Sequence, residues 1–236
     1  MSAIFKHAMR YEWTDKNPIS LVRQSAKRQS IPAVLEVDEA RALLSELKDP
    51  YRTMVFLAMS TGLRVSELLA LKLQDIDFDS QEVNLRRGIV HQVVGGMKTE
   101  ASRKPIPLDP RLAEALSDWR ARSAYNQAED WIFASPEMKG GQPYWPDSAL
   151  RKHIRVAATR AGITKRIGWH TFRHTYGTLL KANGEDVKVV QESLRHANSR
   201  ITLDTYTQAV TSMKRAAQSK VVGMIQAAQP VQEGGN

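Results

Sequence analysis

The residues most able to do chemistry in this chain are concentrated between Trp169 and Tyr206. The stretch opens WHTFRHTYGTLL, breaks at Asn183-Gly184, and resumes as VKVVQESLRHANSRITLDTY. On a helix, His170, Arg173 and Gly177 fall at i, i+3 and i+7 and share a stripe. Phe172, Tyr176, Leu179 and Leu180 form the neighbouring apolar stripe, which a core would take up. One face is therefore anchored, and the next presents an imidazole beside a guanidinium. Gly177 has no side chain and lets another backbone approach that face. A guanidinium stays charged and offers paired donors to an oxyanion. An imidazole exchanges protons near neutral pH. Val187, Val190, Gln191 and Leu194 give the next helix its stripe, which ends at His196, and a third helix from about Ser199 carries Tyr206.

Composition narrows what such residues could act on. The chain has 236 residues, enough for one large domain or two small ones with a substantial core. The net charge is +9 and the isoelectric point is near 9.8. That surplus attracts polyanions, DNA first among them, although a generally basic protein would show the same number. There is no cysteine. Disulfides, thiol nucleophiles and cysteine zinc sites are excluded, and a reducing interior is compatible. No Asp/Glu cluster suggests a metal site, so the expected reaction needs no metal and no cofactor. No apolar run reaches the roughly 18 residues of a membrane span, and the N-terminus lacks the basic-then-apolar order of a secretion signal. A cytoplasmic location is expected.

The elements that must position these groups follow from pattern. Residues 1–17 read as one helix, with Phe5, Ala8, Met9 and Trp13 on one side and Pro18 as its stop. Residues 19–33 are polar, basic and without apolar period, a linker in which Arg23, Lys27 and Arg28 could touch phosphates. A helix from Asp38 has its stripe at Val37, Ala40, Leu43, Leu44 and Leu47. A mostly apolar helix from Pro50 ends at Thr61-Gly62, where the glycine suits a left-handed cap. A short helix, Arg64–Leu71, follows. Ile76–Asp79 and Glu82–Leu85 alternate around a turn and predict a β-hairpin. Residues 86–97 are β-like, with Gly95-Gly96 as a turn signal. Arg103–Leu108 is an edge strand, since its prolines cannot donate to a ladder. Helices over about 109–124 and 148–161 flank a short buried strand at Trp131–Phe133. Met213, Ala217, Val221 and Met224 stripe a last helix, and residues 229–236 read as a disordered tail.

Taken in order, Thr61-Gly62-Leu63-Arg64-Val65-Ser66-Glu67-Leu68, then His170-x-x-Arg173, then Leu194-Arg195-His196, then Tyr206 ten residues on, resemble the signatures of the tyrosine recombinases, the phage-integrase family. The resemblance covers roughly residues 30 to 210. It implies a mixed α/β, mostly helical catalytic core with a small antiparallel sheet over residues 31–228. Residues 1–30 then resemble the last helix and linker of an upstream core-binding domain. Double-stranded DNA is the implied partner, with four protomers on two duplexes and the last helix packing on a neighbour. The implied activity is strand cleavage and rejoining through a 3′-phosphotyrosine. A type IB topoisomerase-like nicking and closing enzyme shares that chemistry, and a non-catalytic DNA-binding remnant is the alternative from another class.

The resemblance also distributes roles. A phosphodiester's transition state gathers charge on its non-bridging oxygens, so charge stabilisation is the largest aid. Arg64 and Arg173 would supply it, each expected in the first turn of a helix, where backbone donors favour an anion. Tyr206 would be the nucleophile; a phenol of pKa ~10 attacks only with help. His170 would assist removal of its proton, and His196 would donate to a non-bridging oxygen. Lys98, in the turn before the Arg103–Leu108 strand, would be the general acid for the departing 5′ oxygen; a phosphate-contacting turn lysine is the plainer reading, and Lys104 a weaker rival. Glu67, at i+3 from Arg64, would orient the arginine or a histidine. His174 points about a quarter turn away from Arg173 and reads as support or packing. His7, His91 and His153 read as structural. Arg195 stands where many family members have glycine, a departure the motif is expected to tolerate.

Overall fold

The computed structural model describes residues 2–22, 33–96 and 104–195. The chain divides into two units, Met1–Ile31 and Pro32–Asn236.

In the first unit, helix α1 (Ser2–Arg10) is shorter than the sequence suggests. It ends in a turn in which Glu12 takes a left-handed φ of 56°. Trp13 therefore lies beyond the helix, stacked on Tyr11 with ring centroids 5.5 Å apart. The helix therefore carries only Phe5, Ala8 and Met9 of the expected stripe, none of them buried, and the two aromatics of the turn pack on each other.

The second unit is built around an apolar helix. Helices α2 (Val37–Glu46) and α3 (Tyr51–Thr61) follow each other closely. Seven of the eleven residues of α3 are buried, including Met54, Val55, Leu57, Ala58 and Met59. A helix apolar around most of its circumference belongs in the middle of a core. Packed against α3 are α2, the short α4 (Val65–Leu68), α5 (Pro110–Arg122) and α8 (Trp169–Ala182). Leu43, Met54, Leu57, Leu68, Leu112, Leu116, Phe133, Ile154 and Phe172 form the fully buried interior.

The sheet lies to one side. Strands β1 (Ile76–Asp77) and β2 (Glu82–Val83) pair antiparallel, with Ile76 opposite Val83. A second hairpin joins β3 (Arg87–Val90) to β4 (Val93–Gly96), and β5 (Ile106–Pro107) adds to the outer side of β2. The edge position of β5 agrees with its prolines. The turn of the second hairpin is not where the glycines are. It falls at His91-Gln92, both at positive φ (50° and 62°), while Gly95 and Gly96 pair with Gly88 and Arg87 inside the ladder. Two-residue hairpin turns need that left-handed geometry to match strand twist, and here ordinary residues supply it. Trp131–Phe133 is buried but makes only an isolated bridge, Trp131 to Lys72, rather than a strand.

A second helical run closes the unit. It comprises α6 (Pro146–Ala149), a π turn at Leu150–Ile154 and α7 (Arg155–Arg160). The entry to α8 is then fixed at several points. Arg155 Nε donates to Ile167 O at 2.9 Å, Trp169 Nε1 to Pro146 O at 3.0 Å, and the Gly168 amide to Thr171 Oγ1 at 3.0 Å. Phe172 is buried in the core, and the Leu35 amide donates to Thr175 Oγ1 at 2.9 Å. Helix α9 (Val187–Ser193) starts at an Asp186 cap and packs on α8. No helix among the described residues is long and apolar enough to cross a membrane.

Candidate active site

Gly62 is the geometric pivot. It ends α3 in the left-handed conformation, φ 63°, which only glycine adopts without penalty. A methyl group placed on it would lie 2.6 Å from the Tyr176 ring of α8 and 2.9 Å from the Leu194 side chain. The missing side chain thus lets three segments meet: the end of α3, the middle of α8 and the end of α9.

Arg173 ties that junction together. Its guanidinium is buried and donates through Nη1 to Gly62 O and through Nη2 to Leu194 O. The residue is the fifth of α8, so it sits in the second turn and not, as expected, in the first. The backbone donors of the α8 N-terminus are consequently not what Arg173 shares with an anion. Its own grip links residues 62–64 to the turn that leads into His196.

Two residues past Gly62, Arg64 caps α4 in an extended conformation. Glu67, one turn on, is its partner. Oε2 of Glu67 accepts from the Arg64 amide at 2.9 Å, and Oε1 accepts from Arg64 Nη1 at 2.9 Å. The i,i+3 contact between Glu67 and Arg64 is therefore present. The Arg64 side chain is 37% exposed, and the carboxylate below it is buried.

The third member of this cluster is Arg195, which sequence reasoning marked only as a departure from the motif. Arg195 Nη2 donates to Glu67 Oε2 at 2.9 Å, and its side chain is 4% exposed. Burial pushes the Glu67 carboxyl up; the Arg195 charge, the Arg64 amide and the Arg64 guanidinium more than reverse this, and it lies below the ordinary carboxylate range. Arg195 itself is left-handed, φ 52°. The signal that could have pointed to it is chemical. A charged residue in a tight, glycine-like position next to an apolar helix end must find an opposite charge, and Glu67 is the acid of the facing signature.

His170 is exposed on the second position of α8. Its ring lies 6.3 Å from that of His174, centroid to centroid. His174 is half-buried; burial, then the charges of His170 and Arg173, hold its pKa below the ordinary histidine value. That suits the supporting role assigned to it. His153 stacks on Tyr51 at 3.9 Å and His91 occupies a hairpin turn, in keeping with their structural reading. Lys98, His196 and Tyr206 lie outside the described residues, as do the helices expected beyond Ser199.

Among the described tyrosines, three are poor nucleophile candidates. Burial pushes the Tyr51 phenol up to about 12. Burial likewise raises Tyr144 and Tyr176, and Tyr176 is wedged against Gly62. A cavity of about 450 Å³ bounded by Tyr51, Tyr144, Trp145 and His153 contains none of the assigned groups. Of the charged cluster, Arg64 reaches the surface, while Glu67, Arg173 and Arg195 are buried beneath it.

Residues 33–213 match the profile of the phage integrase family. An integrase/recombinase of Escherichia coli is 30% identical over 73% of this chain and 59% of its own length. The tyrosine recombinase XerD of Staphylococcus saprophyticus is 32% identical over 88% of this chain and 68% of its own. The chain thus spans about three fifths of the first of these relatives. Among solved structures, the integrase of transposon Tn1549, in complex with a circular intermediate DNA, superposes with a TM-score of 0.74. It is 19% identical and covers 93% of this chain and 76% of that one.

Proposed function

Because the chain belongs to the phage integrase family, we propose that it is a site-specific DNA recombinase that cuts and rejoins strands through a 3′-phosphotyrosine on Tyr206. The observation that carries this reading is the Arg173 grip. By holding Gly62 O and Leu194 O together, it brings Arg64 and the turn preceding His196 to one place. Two signatures far apart in sequence thereby converge.

The chemistry then follows from the groups. Arg64 presents a guanidinium to a non-bridging oxygen. Carbonyls carry no net charge, so the grip itself does not neutralise Arg173, and both arginines oppose the charge of the pentavalent transition state. The Tyr206 oxygen attacks phosphorus while His170 takes the phenolic proton. His196 donates to a non-bridging oxygen. The bond from phosphorus to the 5′ oxygen breaks, and Lys98 delivers a proton to the leaving group. A phosphotyrosine conserves the energy of the diester, so a 5′ hydroxyl can reverse the step. Double-stranded DNA is the substrate, held as two duplexes by four protomers whose last helices pack on neighbours, in the cytoplasm.

A pool of nicked suicide duplexes tests the reading. Cleavage next to the nick releases a short fragment and traps a covalent protein–DNA band. That band is expected for the parent chain and absent in Tyr206→Phe. Binding without a band would leave a DNA-binding module. Relaxation of supercoiled plasmid without site preference would favour nicking and closing over recombination.

A further inference from the structure

The Glu67 carboxylate sits between two guanidiniums, and only one of them reaches solvent. Arg64 is bonded through Nη1 to Oε1 alone. Oε2 is taken by the Arg64 amide and by Arg195 Nη2. Arg195 also donates through Nη1 to Ser193 O at 3.4 Å, and its buried Nε has no hydrogen-bond partner among the described residues. Its backbone is left-handed at φ 52°, a conformation that is strained for any residue with a side chain. A buried charge, an unsatisfied donor and a left-handed backbone are three costs at one position, and glycine would carry none of them. The side chain must return something that glycine cannot.

We infer that Arg195 is a positioning residue for Arg64: by occupying Oε2 of Glu67 it keeps Arg64 from closing on both carboxylate oxygens, so that the exposed guanidinium stays available to a DNA phosphate. This rests on the recombinase reading for its consequence but not for its geometry. A carboxylate left alone with an arginine forms a two-pronged pair that satisfies and neutralises both. A second arginine converts the neutral pair into a cluster of net charge +1. It also ties the α9 end, one residue before His196, to the signature that carries Arg64, so the two halves of the site keep their register.

Four substitutions test this in the full chain. Arg195→Gly suits the left-handed backbone and removes the guanidinium. Single-turnover formation of the covalent band is expected to slow roughly 10- to 100-fold, the scale of a misplaced catalytic group, with DNA affinity little changed because Arg195 is buried. Adding Glu67→Gln removes the charge that captures Arg64, and the double variant is expected to regain most of the loss. Arg195→Gln and Arg195→Lys repeat the comparison without altering the backbone, and Lys should be the faster. Parent-like rates in Arg195→Gly, equal rates in Gln and Lys, or additive losses in the double variant overturn the inference. Should the parent chain form no covalent band, the recombinase reading fails. The crystal structure of Arg195→Gly then decides the positioning role: Arg64 should be bonded to both oxygens of Glu67, and an unmoved Arg64 refutes it.

Discussion

Among its described residues, the second unit contains two buried carboxylates that each face two arginines. Glu67 has Arg64 and Arg195; Asp75 has Arg87 at 2.5 Å and Arg86 at 3.6 Å. In charge and burial the two clusters look alike. They differ in what the other bonds do. Asp75 Oδ2 also accepts from the Lys72 amide at 2.8 Å. Arg87 continues to Ala70 O at 3.3 Å, so this cluster sews the chain after α4 onto the start of β3. In the Glu67 cluster, Arg64 makes one side-chain bond and stays partly exposed, while Arg195 is sealed in. Arg87, tied both to a buried carboxylate and to the Ala70 carbonyl, is scaffold. Arg64, held by a single prong and partly exposed, is equipped for an incoming anion.

The contrast is sharpest under substitution. Arg64→Ala is expected to reduce covalent-band formation by at least about 10³-fold, as for loss of a charge acting on the transition state, with a small change in urea midpoint. Asp75→Ala should do the reverse. Stranding the Arg87 guanidinium beside a buried gap costs about 3–5 kcal/mol, while the rate per folded molecule is retained. A large midpoint loss in Arg64→Ala with normal cleavage would exchange the roles of the two clusters.

The junction beneath Arg64 gives the next largest effect. In Gly62→Ala a methyl group meets the Tyr176 ring at 2.6 Å at a left-handed φ, so overpacking of about 1–3 kcal/mol adds to the backbone penalty. Stability and cleavage should fall together, because the same shift moves the carbonyl that Arg173 holds. Preserved cleavage at reduced stability would show that Arg64 does not depend on this junction.

How much of this was legible beforehand divides along the same line. Helices α3 and α8 were readable because long apolar stripes and a glycine cap fix them locally, and the pairing of Glu67 with Arg64 was readable because i,i+3 spacing is local too. The bond from Arg195 to Glu67 spans 128 positions, and the Arg173 grip on Gly62 spans 111. No periodicity encodes such contacts. The His91-Gln92 turn was missed for another reason: glycines three residues on offered a stronger turn signal, yet cross-strand pairing set the register. Trp131–Phe133 has strand-like composition, but burial alone does not supply a partner.

The pH response separates the clusters more finely. With its pKa lowered in the folded chain, Glu67 contributes stability that is complete above its unfolded value near 4.5 and is lost as pH falls through the lower folded value. Glu67→Gln should therefore flatten the acid limb of stability below about pH 4.5. His174, lowered by burial, adds stability that fades as pH drops below about 6.5, so His174→Gln should flatten that higher window and leave the acid limb intact. An unchanged acid limb in Glu67→Gln would mean that the two arginines do not hold its charge.

The smallest effect falls on the outer arginine of the scaffold cluster. Arg86 is 57% exposed and lies 3.6 Å from Asp75, while Arg87 already satisfies the carboxylate at closer range. A solvated ion pair of that kind contributes about 0–1 kcal/mol. Arg86→Ala should shift the urea midpoint by no more than this, and 0.5 M salt should remove most of the difference, since exposed pairs are screened. Cleavage chemistry should not change. A loss comparable with that of Asp75→Ala would mean that the second arginine is needed to hold a buried carboxylate in place. Arg195 would then be expected to act on Glu67 through stability rather than through the position of Arg64.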